Sequence, residues 1–322
     1  MAVYTHLSAE DLSELISHYD VGDLVSAKGI AEGVSNSNWL IETRKNGENA
    51  RYILTMYERR IELNDLPYFL GLLDHLSAKG CPVPRTIHDK DGAEFRMADG
   101  KAVALIEFLP GVSPTKPTPV QTRAVGSTLA KMHLASVDYT LKRKNTMGFA
   151  ENLAVLEKCG VDGLASISPE LPAMLAPARS AANLDLTALP KAQVHADLFP
   201  DNVLMLDDQV TGMIDFYFAC SDCMALDIAV THAAWCFDPI TGAYLSNCGT
   251  EFLNAYESIR KVTQDERRLF AEIAKGACLR FIASRAEDWL ETPNDALVTR
   301  KDPVEFVRRW RFYDEHASDL FA

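Results

Sequence analysis

Residues 194–206 read Val-His-Ala-Asp-Leu-Phe-Pro-Asp-Asn-Val-Leu-Met-Leu, and residues 213–216 read Met-Ile-Asp-Phe. The first run puts His195, Asp197 and Asn202 in one loop between apolar segments, and the second puts Asp215 at the end of the next apolar segment. These residue types at this spacing suit phosphoryl transfer. An Asp accepts the proton of an attacking hydroxyl, and an Asn with a second Asp holds Mg²⁺ against nucleotide phosphates. On this reading Asp197 is the base, and Asn202 and Asp215 are the metal ligands. Mg²⁺ takes oxygen ligands and completes its shell with water and phosphate oxygens. His195 joins the catalytic group as the residue that orients the loop through hydrogen bonds rather than moving protons. The alternative is that these are only turn formers, since Asp and Asn favour loops. A lone H-x-D would leave that alternative ahead; the full H-x-D-x₄-N followed by I-D-F does not.

The flanking chain indicates what positions these groups. Residues 8–19 have the pattern of a short amphipathic helix with Ser8 as N-cap and Glu10 and Asp11 in its first turn. Two strand-like runs follow, 38–43 and 51–57, with Asn46-Gly47 between them as a hairpin signal. A helix is predicted over 66–79, capped by Asp65, with Pro67 in its first turn and Gly80 at its end. Strand candidates at 85–88 and 102–108 come next. Leu109-Pro110-Gly111 and the Pro-rich stretch 113–119 then break the pattern, and the remainder is mostly helical apart from 191–216. This order predicts an α+β protein of two lobes: a small antiparallel-sheet lobe, 1–108, and a larger, mainly helical lobe, 109–322. A ligand site is expected in the cleft between them.

The chain has 322 residues, 48% of them hydrophobic, enough for a substantial core. A net charge of −13 argues against non-specific nucleic-acid binding but not against a phosphorylated ligand neutralised by Mg²⁺. Residues 1–10 lack the basic start and apolar stretch of a signal peptide, and no apolar run is long enough to span a bilayer. Seven scattered cysteines fit a reducing cytoplasm better than a disulfide framework. Cys220 and Cys223 form a C-x-x-C, but no second pair exists to complete a zinc site, so buried thiols are the expectation.

The catalytic segment resembles that of the aminoglycoside-phosphotransferase and choline-kinase group, which shares the protein-kinase-like fold. Asp227-Ile228-Ala229 also matches that group, and the resemblance implies a structural role for Asp227 in bracing the catalytic loop. Gly33-Val34-Ser35-Asn36-Ser37-Asn38-Trp39 looks like the group's nucleotide-covering hairpin, which implies ATP contacts at Gly33, Ser35, Asn36 and Asn38. Ile106-Glu107-Phe108-Leu109 resembles the connector whose backbone, here at Glu107 and Leu109, faces adenine. Segments at 52–58, 65–70 and 278–285 are similar to those of bacterial homoserine kinases of this fold. One departure stands out: Thr55 occupies the position where many kinases carry a phosphate-contacting Lys. Arg59, Arg60 and Lys28 are the candidate replacements.

The resemblance implies a small-molecule acceptor, L-homoserine, phosphorylated on its hydroxyl by ATP with Mg²⁺ for threonine synthesis. Such a site needs a base for the hydroxyl, an anion for the ammonium and a cation for the carboxylate. Arg280 and Arg285 are candidates for the last, since a guanidinium grips both carboxylate oxygens. On one helix they would point about 140° apart, so they are not expected to share one ligand. His232, Trp235 and Asp238 follow the metal segment and are candidates to line the acceptor pocket, with core or turn roles as the alternative. Kinases of choline, methylthioribose, hydroxylysine or an aminoglycoside are the nearest rivals. A nucleotide-binding pseudokinase is the rival of another class, supported only by Thr55. The sequence leaves the oligomeric state open.

Overall fold

The computed structural model describes residues 7–30, 36–58, 61–293, 300–316 and 320–321. Helix α1 (Ala9–Ser17) starts where expected, with a reciprocal cap. Ser8 Oγ accepts from the Asp11 N–H (3.0 Å), and the Asp11 carboxylate accepts from the Ser8 N–H (2.9 Å). Leu12, Leu15 and Ile16 form the stripe that α1 buries.

That stripe lies on a six-stranded antiparallel sheet of β1 (Asp23–Ile30), β2 (Asn36–Lys45), β3 (Glu48–Tyr57), β4 (Thr86–Ile87), β5 (Arg96–Ala98) and β6 (Lys101–Glu107). The strand order is β1-β2-β3-β6-β4, with β5 also paired to β6. Asn46 and Gly47 turn the β2–β3 hairpin at φ of 54° and 87°, the two left-handed positions that a tight hairpin requires. The two-residue period of a strand divides the sheet's faces. Val103 and Leu105 of β6 pack with α1, whereas Ala102 and Ala104 pack with Leu66 and Leu70 of α2 (Leu66–Ala78). Small alanines on that side let α2 approach closely.

Three local expectations change. Asp65 makes no capping bond; its carboxylate instead takes the Arg143 Nε at 2.6 Å, a partner far along the chain. Strands β1 and β5 were not expected. Strand β1 pairs only with β2 and keeps most of its side chains exposed, so its sequence shows no apolar alternation.

Beyond Glu107 the chain forms α3 (Pro119–Ser136), α4 (Phe149–Ile167), α5 (Leu175–Ala181), α6 (Met224–Trp235), α7 (Ser246–Ile259), α8 (Gln264–Glu291) and α9 (Val304–His316). Between α5 and α6 lie two short hairpin-like pairs. Strand β7 (Lys191–Val194) pairs with β10 (Cys220–Cys223), and β8 (Val203–Leu206) with β9 (Gln209–Met213), both antiparallel. Helix α6 is apolar nearly all round, and every one of its residues is buried. It is the axis of the helical core. Cys220 and Cys223 are buried free thiols, each pushed up to about 12 by burial, which makes them inert packing groups. Among the described residues no helix is long and apolar enough to cross a membrane.

Helices α3 and α7 meet at Gly126, where an added Cβ would lie 2.3 Å from the Phe252 carbonyl oxygen. Helix propensity alone would make Gly126→Ala stabilising by about 1 kcal/mol. The close approach reverses the sign, and a net loss of about 2 kcal/mol is expected from overpacking. Urea denaturation of the variant checks this; an unchanged or raised midpoint would contradict the packing described.

Candidate active site

The catalytic loop hangs from α6. The Asp227 carboxylate, fully buried in the first turn of that helix, accepts from the backbone N–H of His195 and of Ala196, each at 2.8 Å. His133 Nε2 lies 2.9 Å from the same carboxylate, and its Nδ1 lies 2.7 Å from Tyr256 Oη. Burial alone would raise the Asp227 carboxyl, but the His133 bond and backbone donors outweigh it and hold it below the usual range. Ala196 takes a left-handed φ of 62°, which turns the chain sharply between His195 and Asp197. Asp227 and Arg280 hold both ends of that residue, since Arg280 Nη1 donates to the Ala196 carbonyl.

His195 is buried and joins the two halves of the motif. Its Nδ1 accepts from the Asp197 N–H (3.2 Å), which fixes the proton on Nε2, and Nε2 donates to the Ile214 carbonyl at 2.9 Å. Burial lowers its pKa, so the ring is neutral, as that tautomer requires. Asn202 adds a second tie. Its side-chain Nδ2 donates to the Asp197 backbone carbonyl (2.8 Å), and its backbone carbonyl accepts from the Ile214 N–H (3.0 Å). Trp235 Nε1 donates to the Leu198 carbonyl at 2.8 Å. Asp215, also left-handed at φ 63°, follows directly from this tie point. Asp197, Asn202 and Asp215 are thus brought together by backbone bonds from neighbouring segments.

The electrostatics suit a cation. Partial withdrawal from water, in a residue that keeps an exposed surface, and then the charges of Asp197 and Asp201 raise the Asp215 carboxyl to about 7. Burial likewise raises Asp197, while the Arg280 guanidinium, with Nη2 at 3.5 Å from Oδ1, opposes the rise. Arg280 partners Asp197, whereas Asp215, a solvent-exposed residue crowded by two other carboxylates, has no ion-paired cation among the described residues. The Asn202 amide has turned its NH₂ to Asp197, which leaves its carbonyl oxygen as a neutral oxygen donor. An all-oxygen set of this kind fits Mg²⁺ or Ca²⁺.

The residues at 26–269 match the family described as "Phosphotransferase enzyme family". The chain belongs to this phosphotransferase family. It is 44% identical over 317 residues to a protein of Granulibacter bethesdensis named homoserine kinase, covering 97% of each chain. It is 41% identical, with the same coverage, to one so named from Acidiphilium cryptum. Among solved structures it resembles an amicoumacin kinase in complex with AMP-PNP and Ca²⁺, with a TM-score of 0.71 at 14% identity. That likeness covers 96% of this chain and 94% of the other, and it assigns the kinase-like fold.

The acceptor-side candidates of the phosphotransferase fall elsewhere than expected. His232 is wholly buried beside Tyr313 Oη (2.6 Å), and burial lowers its pKa to about 3, so it is a neutral core residue. Trp235 is wholly buried too, and its single polar atom serves the loop. Neither lines an acceptor pocket. Asp238 accepts from the N–H groups of Ile240 and Thr241, a turn role. Arg285 turns to the Glu305 carboxylate and the Asp302 carbonyl, both at 2.7 Å, rather than to the base. Arg280 does reach Asp197, but as its ion-pair partner, with the guanidinium 5.1 Å from the Phe218 ring and 4.9 Å from Phe281.

On the nucleotide side, Gly33 and Ser35 lie outside the described residues, as do Arg59 and Arg60. Asn36 is buried, and its Oδ1 has no hydrogen-bond partner among the described residues. Asn38 Oδ1 accepts from Thr55 Oγ1 at 2.8 Å, which accounts for a hydroxyl at the position usually given to Lys. Lys28 is an exposed residue of β1. The Glu107 N–H is taken by the Arg85 carbonyl (3.0 Å), and Leu109 packs over Gly212. Two charged residues near the base belonged to no expected role: Asp201 and Lys301, whose charges act on both Asp197 and Asp215. Asp201's place directly before Asn202 was a usable signal; Lys301 had none.

Asp227→Ala would strand two buried N–H groups and His133. The expected cost is about 3–5 kcal/mol, with a fall in kcat because the base loses its support. The carboxylate's contribution is fully present above about pH 4, the unfolded value, and is lost as pH falls through the lowered folded value. Thermal melts at pH 7 and pH 3 check both points: wild type and variant should differ most at pH 7. Equal melting temperatures there would refute the bracing role.

Proposed function

We propose that this phosphotransferase moves the γ-phosphoryl group of ATP to the side-chain hydroxyl of L-homoserine. The observation that carries the acceptor assignment is the full-length likeness to proteins named homoserine kinase. The chemistry rests on the Asp197–Asn202–Asp215 set, whose completeness argues against a pseudokinase.

Asp197 accepts the acceptor's proton and aims its oxygen at the phosphorus. Asn202 and Asp215 hold Mg²⁺, which supplies charge neutralisation on the phosphates when bound. His195 and Arg280 are positioning residues: the first fixes the spacing of base and metal ligand, the second fixes the base's carboxylate. Most of the rate enhancement then comes from alignment and charge, as is general for phosphoryl transfer. We assign the lobes as 1–108 and 109–322, with the nucleotide between them. Gly33, Ser35, Asn36 and Asn38 cover its phosphates. The Glu107 carbonyl, whose own N–H is already engaged, and the Leu109 backbone meet the adenine. The acceptor and its product are small and soluble, which suits an enzyme of the cytoplasm.

An ADP-release assay over homoserine, choline, methylthioribose, hydroxylysine and an aminoglycoside tests the acceptor. Homoserine should give the highest kcat/KM, and EDTA should abolish turnover. Asp197→Ala and Asp215→Ala should each lower kcat by about 10³-fold or more with circular dichroism unchanged. A preference for another acceptor, or near-normal rates in either variant, would overturn the assignment.

A further inference from the structure

An α-amino acid presents opposite charges on one carbon, so its site needs an anion and a cation close to the base. The two arginines first considered for the carboxylate are committed, Arg280 to Ala196 and Asp197, Arg285 to Asp302 and Glu305. A different cation stands just before α9, whose first turn packs against the catalytic loop. The Phe306 ring stacks on Phe281 of α8 (4.6 Å, 28°) and stands 6.2 Å from Phe199 of the catalytic loop, and Phe199 itself lies 4.9 Å from Phe281. Three aromatic rings therefore bind the start of α9 to the segment between the base and Asn202. Arg285 Nη1 fixes the Asp302 carbonyl, and the Asp302 carboxylate caps the Val304 N–H at 2.8 Å. Lys301 is the residue just before this anchored point.

Lys301 is exposed and makes no hydrogen bond or ion pair among the described residues. Its charge nevertheless acts on both Asp197 and Asp215, and among the described residues no other cation acts on both. Asp201 is its counterpart. It lies within the catalytic loop itself, is exposed, has no side-chain partner among the described residues, and acts on the same two carboxylates. Its backbone is anchored, with the carbonyl accepting from Ser113 Oγ at 3.2 Å. Two opposite charges, not paired to each other, thus belong to the catalytic loop and to the segment that the three aromatic rings pack against it. In homoserine two methylenes separate the hydroxyl from the α-carbon, a span of about 4 Å, so groups beside the base are the ones that can reach the head.

We propose that Lys301 binds the acceptor's carboxylate and Asp201 its ammonium, so that the pair selects an α-amino-acid alcohol over simpler alcohols. This rests on the homoserine reading above. Both side chains act by charge-assisted hydrogen bonds, and neither touches the transferred phosphoryl group. An alternative role for Lys301, on the nucleotide's terminal phosphate, would affect every acceptor alike.

Steady-state kinetics with three acceptors separate these cases: homoserine, 3-amino-1-propanol, which lacks the carboxylate, and 4-hydroxybutyrate, which lacks the ammonium. Lys301→Met should lower kcat/KM for homoserine by about 10- to 100-fold, mainly through KM, while changing that for 3-amino-1-propanol less than about threefold. Asp201→Asn should do the same for homoserine and spare 4-hydroxybutyrate. The KM for ATP should hold in both variants. For an analogue that turns over too slowly to time, its Ki against homoserine gives the same comparison. Equal losses on all acceptors, or none, would overturn the clamp. If the wild-type enzyme itself fails to phosphorylate homoserine, it is the acceptor assignment that falls.

Discussion

One buried carboxylate sets the geometry of the site. Asp227 sits inside the helical core, where an unpaired charge would be costly, and is kept there by three donors. Two of those donors are consecutive backbone N–H groups of the catalytic loop. The arrangement is reciprocal. The loop satisfies the charge, and the charge holds the loop in a left-handed turn that an alanine would otherwise leave. The base is therefore positioned by a helix that is buried along its whole length, although it sits on a loop.

From that anchor a short chain of bonds runs to Asn202 and Asp215, the proposed metal ligands. His195 spans from the Asp197 N–H to the Ile214 carbonyl, and Asn202 bonds to both of the same segments. Every link uses backbone on at least one side. The spacing between Asp197 and the other two residues thus depends on β7, β8 and β9, whose ends flank them, and less on rotamer choice. The small sheet is built differently. Its α1 and α2 faces are separate apolar clusters, and Asn36 and Asn38, proposed to cover the nucleotide phosphates, are among the first residues of β2.

What could be read in advance followed from how local the determining forces are. The α1 cap, the Asn46-Gly47 turn and the close of α2 at Gly80 depend on residues within a few positions of each other, and the chain displays them directly. The H-x-D-x₄-N run was legible because its residue types and spacing stand out, and the structure joins them through short-range bonds. Asp65 misled because Arg143 competes for it from far along the chain. Strand β1 escaped because an edge strand with exposed faces has no alternation to show. His232 and Trp235 looked like ligands by proximity to the motif, but α6 is buried on every side and offers no surface from which to reach one. The opposite failure concerns Lys301, whose segment meets the catalytic loop through the packing of Phe199, Phe281 and Phe306 and the Arg285–Asp302 bond.

Ala196 carries a further meaning. A glycine would adopt its backbone angles at no steric cost, whereas the methyl group costs on the order of 1 kcal/mol there. That methyl is buried with Val194 and Cys220. A glycine hinge would swing between basins once the substrate left. The alanine, pinned by its side chain and by both of its backbone groups, has nowhere else to go. The enzyme accepts a small permanent tension so that its base stays aimed from one catalytic cycle to the next.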